Sequence, residues 1–462
     1  MAVPRTVPAS GFSVSPSIHL RLSRTLRPTF PINEPNWRTD FQAAKTGACV
    51  FPQPVCSVRV RSTSRWTEYA ELVALFFIQG AALSMWLVPL SSVLDAHGLR
   101  AIKPFAFGTS ALAAFISPLV FGAMADRHAS PAKVLRFLAL GTAATMALAT
   151  TAIRLGWHPM IVLAIIQIHA LCSAPTWSIS STIVLARLQN PRKQFGPIRA
   201  MATLGWMSGC WLVSAFSADS SPLAGYGGSV MWLVVAGFSL FLPNVPPPKS
   251  DTRLTVRQRL GLDALSLLKS KDHRVVFITA ALLNIPFAAF YPYTPVHLRA
   301  LGLDHTSAWM TLGQITEIIS MLVLARLLTN WRLKWIIVLG LLFGVLRFGL
   351  CALDSKLWIL AGITLHGCSF TLVFITAQIY VDERMDRAWR ARAQALLTLM
   401  VSGVGNLLGY IGTGSWFNSQ TTDNVTQWPI FWGGLSVAVA AVLVFFLITY
   451  HGVGTGLTRT AD

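Results

Sequence analysis

The chain has 462 residues, of which 53% are hydrophobic and only 12% are charged, and its net charge is +19. Soluble proteins carry about 25% charged residues, so this composition excludes a soluble globular protein and predicts a polytopic membrane protein. The basic residues lie in short loops between apolar runs, which favours a membrane-orientation signal over nucleic-acid binding.

Residues 1–66 form a basic, serine-rich extension without the apolar core of a secretory signal. This is the composition of a transit peptide, and in that case the protein would lie in the plastid envelope. We prefer a disordered cytosolic tail or an over-extended gene start, and we exclude the segment from the fold.

Twelve apolar runs follow, each long enough to cross a hydrocarbon layer of about 30 Å. They cover 69–90, 105–124, 134–154, 159–185, 200–218, 225–244, 275–297, 307–328, 335–352, 357–381, 394–416 and 428–450. The fold class that we predict is therefore an all-α integral membrane protein of about twelve transmembrane helices.

The longest polar break divides the runs six and six, and this arrangement is typical of two fused helical halves. We predict two pseudo-symmetric six-helix bundles, joined by a cytoplasmic linker and followed by a cytoplasmic tail. The bundles are 67–244 and 275–450, the linker is 245–274 and the tail is 451–462.

Lys and Arg are concentrated in the loops after even-numbered runs, for example at Arg187, Arg326 and Arg384, and are sparse in the others. By the positive-inside rule, both termini are cytoplasmic. The loop after the second run reads Gly122-Ala-Met-Ala-Asp126-Arg127. It resembles the G-x-x-x-D-R loop of the major facilitator superfamily, and we expect it to act in conformational gating.

Arg199, Thr203 and Trp206 begin the fifth run at helical spacing, so one stripe carries a guanidinium, a hydroxyl and an aromatic ring. Such a set could hold and stack a planar polar ligand. The alternative is that Arg199 anchors the helix at the cytosolic boundary while Trp206 packs.

Gln314 and Glu317 share one face of the eighth run. A carboxylate inside a membrane costs at least a few kcal/mol, so it needs a partner, a cavity or a function. We favour solute binding and proton transfer over a purely structural ion pair, because the second half offers no other carboxylate in mid-membrane.

Other polar groups in the apolar runs have open interpretations. His366 and Phe370 lie one turn apart, and a lone histidine is often a satisfied interhelical donor. Arg347 fits a structural pair or a side chain that snorkels to the interface. The fourth run carries Gln167, His169, Pro175, Thr176 and Trp177, and the seventh run carries Pro286, Pro292 and Pro295, which predict a broken helix.

Five segments together resemble the bacterial nucleoside:proton symporters of the major facilitator superfamily. They are Phe195–Trp206, Leu260–Lys269, Gln314–Glu317, His366–Phe370 and Arg392–Gln394. The likeness covers about residues 70–450. It implies a twelve-helix importer of the bacterial inner membrane that takes up a nucleoside with a proton. The substrate site that it implies consists of Arg199, Thr203, Trp206, Gln314, Glu317 and Phe370.

Three positions depart from the family pattern. The aspartate after the aromatic residue of the tenth helix is Thr371 here, and the tyrosine that begins that motif is His366. The glutamine and asparagine of the seventh helix are absent from Pro286-Phe-Ala-Ala289. These changes leave Glu317 as the expected proton carrier, unless His366 shares the task.

The expected partners are a small solute, in the first place a nucleoside, and the lipid bilayer. We expect a monomer that binds no nucleic acid and is not an enzyme. It needs no metal or other cofactor, because the proton gradient supplies the energy. The alternatives are the same fold with another small polar solute, such as a sugar or an aromatic acid, and a membrane sensor that transports nothing.

Overall fold

The computed structural model describes residues 65–125, 130–188, 191–243, 255–260, 262–385 and 389–452, and these residues are mostly helical. Asp126 and Arg127 of the predicted gating loop lie outside the described residues. So do residues 1–64 of the extension, residues 245–254 and 261 of the predicted linker, and the tail from residue 453.

The first half is residues 65–243, and its described residues contain seven helices and one short 3₁₀ turn at Arg100–Ile102. The helices are α1 (Arg65–Leu87), α2 (Leu90–Ala96), α3 (Lys103–Ala125), α4 (Pro131–Arg154), α5 (Pro159–Arg187), α6 (Pro191–Ala215) and α7 (Leu223–Phe238). Gly122 lies inside α3. Helix α5 shows how the sequence defines these starts, because His158 caps its N-terminus and Pro159 occupies the first turn, where its missing N–H costs nothing.

After the short helix α8 (Val256–Arg259) and a 3₁₀ segment, Leu262–Lys269, the remaining helices form the second half, residues 262–452. They are α9 (Lys271–Phe287), α10 (Phe290–Ala300), α11 (Thr306–Met310), α12 (Leu312–Asn330), α13 (Leu333–Cys351), α14 (Lys356–Phe370), α15 (Thr376–Arg384), α16 (Arg390–Thr398), α17 (Asn406–Ser419) and α18 (Trp428–Thr449). Two π-helical segments, Thr371–Ile375 and Leu399–Gly405, join α14 to α15 and α16 to α17.

Over most of its described length, each of the twelve apolar runs coincides with one helix or with two consecutive helices, which confirms the all-α class. Within the described residues, nine helical segments are long and apolar enough to cross a membrane, and Leu223–Phe238 is a shorter apolar helix. Large apolar side chains also face outward, among them Phe137, Phe241, Leu322 and Val437, which are 69–73% exposed. Such outward apolar surfaces suit contact with lipid.

The break that was predicted for the seventh run is present. Helix α9 ends at Phe287, Ala288 and Ala289 form a turn, and α10 begins at Phe290. Pro286 lies just before the turn, while Pro295 is accommodated inside α10. The second half therefore has helices that are irregular at mid-length, both at the turn between α9 and α10 and in the two π-helical segments.

Small residues bring the helices of the site close together. A side chain at Gly205 would collide with the backbone of Phe77, so α1 and α6 pack in direct contact there. A side chain at Gly367 would collide with the backbone of Gly313 and Glu317, so α14 lies equally close to α12. These contacts fix the depth of Thr203 on α6 and of Glu317 on α12.

At one end, the two halves are joined by hydrogen bonds that we call the polar latch. Buried Asp219 accepts from the backbone N–H of Ser307 at 2.6 Å and from the hydroxyl of Ser214 at 3.1 Å. The indole of Trp211 donates to Thr311 at 3.1 Å. The carboxylate thus sits at the N-terminus of α11, where backbone N–H groups lack intrahelical partners.

A small antiparallel hairpin, Thr421–Thr422 with Val425–Thr426, lies at the same end. Its turn residues, Asp423 and Asn424, have φ values of 50° and 64°, as a tight hairpin turn requires. Arg100 of the first half donates to Asn424 at 3.3 Å. This contact adds to the closure of that end.

Candidate functional site

A cavity of about 260 Å³ lies between the two halves. All six residues predicted for solute binding line it, although they come from three separate helices, α6, α12 and α14. They are Arg199, Thr203, Trp206, Gln314, Glu317 and Phe370. The remaining lining residues are Gly80, Leu83, Trp177, Ala202 and Tyr291.

Charge is divided across this cavity. Arg199 comes from the first half, and its guanidinium lies 4.5 Å from the ring centre of Trp177, in cation–π geometry. Glu317 comes from the second half and interacts electrostatically with Arg199. The cavity therefore has a positive wall and a negative wall, and each belongs to a different half.

The remaining side chains offer both hydrogen bonding and stacking. The side chains of Thr203 and Gln314 line the cavity and are only 9% and 5% exposed, so little of either lies on the outer surface of the protein. The ring of Trp206 lies 6.0 Å from that of Tyr291, and its indole N–H has no acceptor within the described part of the chain. An unpartnered buried donor of this kind is a group that a bound solute could satisfy.

A larger cavity of about 380 Å³ continues from the first, since Tyr291, Glu317 and Phe370 line both. Its wall adds the amides Asn284, Asn406 and Gln378 and the hydroxyls Ser402 and Thr398. Gln378 is exposed, unlike most of the residues that line this cavity.

Asn284 and Asn406 were missed in the sequence analysis. Each is an amide inside an apolar run, and that is the signal that could have found them. The structure brings them together, with Asn284 Nδ2 2.6 Å from Asn406 Oδ1. They lie on α9 and α17, far apart in the sequence, so spacing alone could not pair them.

A third cavity of about 230 Å³ lies in the first half, against Trp177 and Trp206. His169 lines it, but its Nδ1 lies 3.4 Å from the carbonyl oxygen of Thr142 and its ring packs on Trp86. This geometry suits a structural role for His169, which links α5 to α4.

Arg347 does not snorkel, because its side chain is 1% exposed. Its guanidinium lies 4.7, 4.9 and 4.5 Å from the ring centres of Phe287, Phe290 and Phe348. It also hydrogen-bonds to Nδ1 of His366. The snorkelling interpretation is wrong because these aromatic rings and the histidine hold the cation inside the second half.

His366 lines the larger cavity and stacks on Phe290, with 3.9 Å between ring centres. A guanidinium has only donors, so Nδ1 of His366 must accept from Arg347 and its hydrogen must lie on Nε2. The ring is therefore neutral in this arrangement.

One of the family departures, the stretch Pro286-Phe-Ala-Ala289, forms an apolar patch. Ala288 and Ala289 are buried, as are Pro286 and Phe287. The hydroxyl of Thr371 lies 3.5 Å from the backbone carbonyl oxygen of Glu317, so this side chain supports α12.

Among the described residues, no cluster of three or more His, Cys, Asp or Glu side chains could hold a metal ion.

Residues 67–452 match the protein family described as Nucleoside H+ symporter. The putative nucleoside transporter YegT of Escherichia coli is 31% identical over 83% of this chain and 93% of its own length. The nucleoside permease NupG of the same organism is 26% identical over 85% of this chain and 99% of its own. A crystal structure of nucleoside transporter NupG superposes with a TM-score of 0.74 at 24% identity, over 83% of this chain and 98% of that one.

Proposed function

The chain belongs to the nucleoside H+ symporter family of the major facilitator superfamily, and from that premise we propose that it imports nucleosides together with protons. The observation that carries the proposal is the single cavity that gathers Arg199, Thr203, Trp206, Gln314, Glu317 and Phe370. A nucleoside needs hydrogen-bonding groups for its sugar hydroxyls and flat rings for its base. This cavity offers both.

In this proposal Glu317 carries the proton. Its carboxyl group faces the solute cavity and lies opposite Arg199 on the other half. Protonation removes the attraction between these two walls, so it changes the energy of separating the halves. Proton binding and solute binding thereby bias the same conformational equilibrium.

His366 is the weaker candidate for this task. Its Nδ1 is occupied by Arg347, and a second proton there would place two cations in contact. We therefore assign proton transfer to Glu317 alone and give His366 a structural role beside Phe290.

We propose that the protein is a monomer in the inner membrane of a bacterium, with both termini in the cytoplasm. The two six-helix bundles, 67–244 and 275–450, then rock about the central cavity. In this orientation the polar latch at Asp219 closes the outer end, and Gln378 marks an opening towards the cytoplasm. Gly122, Asp126 and Arg127 would act in gating on the cytoplasmic side.

The apolar patch at Pro286–Ala289 favours one other possibility, a different small polar solute such as a sugar or an aromatic acid. Competition by unlabelled solutes distinguishes it from nucleoside transport. A sensor that binds without transport is distinguished by measuring flux.

The first experiment is uptake of labelled uridine and adenosine into a transport-deficient bacterium that expresses the full chain, with and without a protonophore. Accumulation that the protonophore abolishes supports the proposal. Absence of uptake, with the protein shown to be in the membrane, would contradict it.

A further inference from the structure

The amide pair Asn284–Asn406 has a fixed orientation. Asn284 Nδ2 lies 2.9 Å from the carbonyl oxygen of Val401 and 2.6 Å from Oδ1 of Asn406. A carbonyl oxygen only accepts, so the atom of Asn284 that faces Val401 must be the amide nitrogen. That nitrogen donates to Asn406 as well, so Asn406 must present its oxygen to the pair.

The orientation leaves one acceptor and one donor unused. Asn284 keeps its Oδ1, and Asn406 keeps both hydrogens of its Nδ2. Neither atom has a hydrogen-bond partner in the described part of the chain, and neither is sealed in the protein interior. Both residues line the larger cavity, so this acceptor and this donor are available to a solute there.

The helix geometry holds the pair in place. Val401 belongs to the π-helical segment Leu399–Gly405, in which the wide turn alters the usual backbone pairing. Gly405 lies against the backbone of Ala281 and the side chain of Asn284, so α9 and α17 approach closely at this level. The two amides are thus held together by the close packing of α9 against the start of α17.

We propose that this amide pair binds the edge of the nucleobase, and that it is a specificity-determining element of the transporter. The edge of a nucleobase presents a hydrogen-bond donor next to an acceptor, such as the N3–H and O4 of uracil. The free acceptor of Asn284 and the free donor of Asn406 complement these two groups. The N3–H donates to Asn284 Oδ1, and O4 accepts from Asn406 Nδ2. This assignment rests on the proposed nucleoside transport.

The surroundings suit a base in this position. The rings of Tyr291, Phe370 and Phe374 line the same cavity, and they provide flat apolar faces for a planar heterocycle. Glu317 lies in the wall that the two cavities share, so a base at the amide pair directs its sugar towards Glu317 and the smaller cavity.

The probe is N3-methyluridine, which keeps the ring and the sugar of uridine but carries a methyl group in place of the N3–H. Equilibrium binding of uridine and N3-methyluridine is measured on the purified full chain. We expect wild type to bind uridine at least about tenfold more tightly, because a bidentate contact to a base discriminates by that order.

The variant is Asn406→Asp, which keeps the oxygen that accepts from Asn284 and replaces the free donor by an acceptor. Uridine affinity should fall about tenfold to a hundredfold, and the preference over N3-methyluridine should disappear. Asn330→Asp is the matched control, since it makes the same change at an exposed residue of α12 and should alter neither value. Thermal unfolding of each variant checks that the protein is folded.

Two results overturn the assignment alone: a wild type that binds both nucleosides with equal affinity, or an Asn406→Asp protein, folded as wild type, that keeps its preference for uridine. A wild type that neither binds nor transports any nucleoside overturns the proposed function as well, so the two failures are distinguishable.

Discussion

Arg199 and Arg347 both lie within apolar helices of this protein, and their surroundings differ. Arg199 on α6 opens onto the central cavity, rests on one aromatic ring and faces Glu317 of the other half. Arg347 on α13 is sealed among three phenylalanine rings and hydrogen-bonded to His366.

The comparison shows that a charge inside the membrane does not by itself mark a functional site. Both residues carry the desolvation cost of a buried cation. At Arg347 the faces of the three phenylalanine rings offset this cost inside the second half, where a solute cannot reach the guanidinium. Arg199 lines the cavity and attracts Glu317 across the boundary between the two halves, which must separate during transport. Solute binding and conformational change can therefore both alter the electrostatic energy of Arg199.

The largest difference is expected when each arginine loses its charge. Arg199→Leu removes the positive wall of the cavity and should weaken solute binding about a hundredfold, because hydrogen bonds to charged groups contribute about 1.5–3 kcal/mol. Equilibrium binding of uridine measures it, and Arg299→Leu, an exposed arginine, is the control. Unchanged affinity in Arg199→Leu would assign Arg199 the anchoring role.

At Arg347, substitution of the side chain should affect stability and spare binding. Arg347→Lys replaces a planar cation that stacks on three rings by a compact, strongly hydrated one, so we expect a loss of about 2 kcal/mol in the free energy of unfolding.

Arg347→Met keeps the volume, removes the buried charge and should be at least as stable as the lysine variant. Thermal unfolding and uridine binding are measured on both proteins. A methionine variant that is folded but has lost uridine affinity would place Arg347 in the solute site.

A smaller effect is expected at Thr203. Thr203→Val preserves the shape and removes the hydroxyl from the cavity wall, so solute affinity should fall about fivefold, or about 1 kcal/mol. Thr203→Ser retains the hydroxyl and should bind nearly as wild type. Equal affinities for the valine and serine variants would remove Thr203 from the binding set.

The smallest effect is expected at His366. Asn can present its Oδ1 where His366 presents Nδ1, so His366→Asn should still accept from Arg347 and should leave proton-driven accumulation within about twofold of wild type. His366→Leu, which leaves Arg347 without an acceptor, should lower the unfolding temperature. Loss of accumulation with retained exchange in His366→Asn would show that His366 shares proton transfer.

Much of the site was predictable because polar residues in apolar runs are rare and costly. Arg199, Gln314 and Glu317 stood out for this reason, and all three line one cavity. The family resemblance added Phe370, which composition alone could not separate from core aromatics.

The partners of buried groups were not predictable. The cage around Arg347 combines rings from α9, α10 and α13, and the amide pair joins α9 to α17. Such contacts depend on how helices far apart in the sequence approach one another, and the π-helical segments that adjust this approach carry no simple residue pattern.

The central claim is that Glu317 couples the proton to the solute, and Glu317→Gln in proteoliposomes tests it most directly. Glutamine keeps the size and hydrogen-bonding capacity but cannot exchange a proton at this position. Glu383→Gln, at an exposed site, is the control. The account predicts that uridine accumulation driven by a proton gradient is lost in Glu317→Gln while exchange of labelled for unlabelled uridine continues; accumulation at the wild-type level would contradict it.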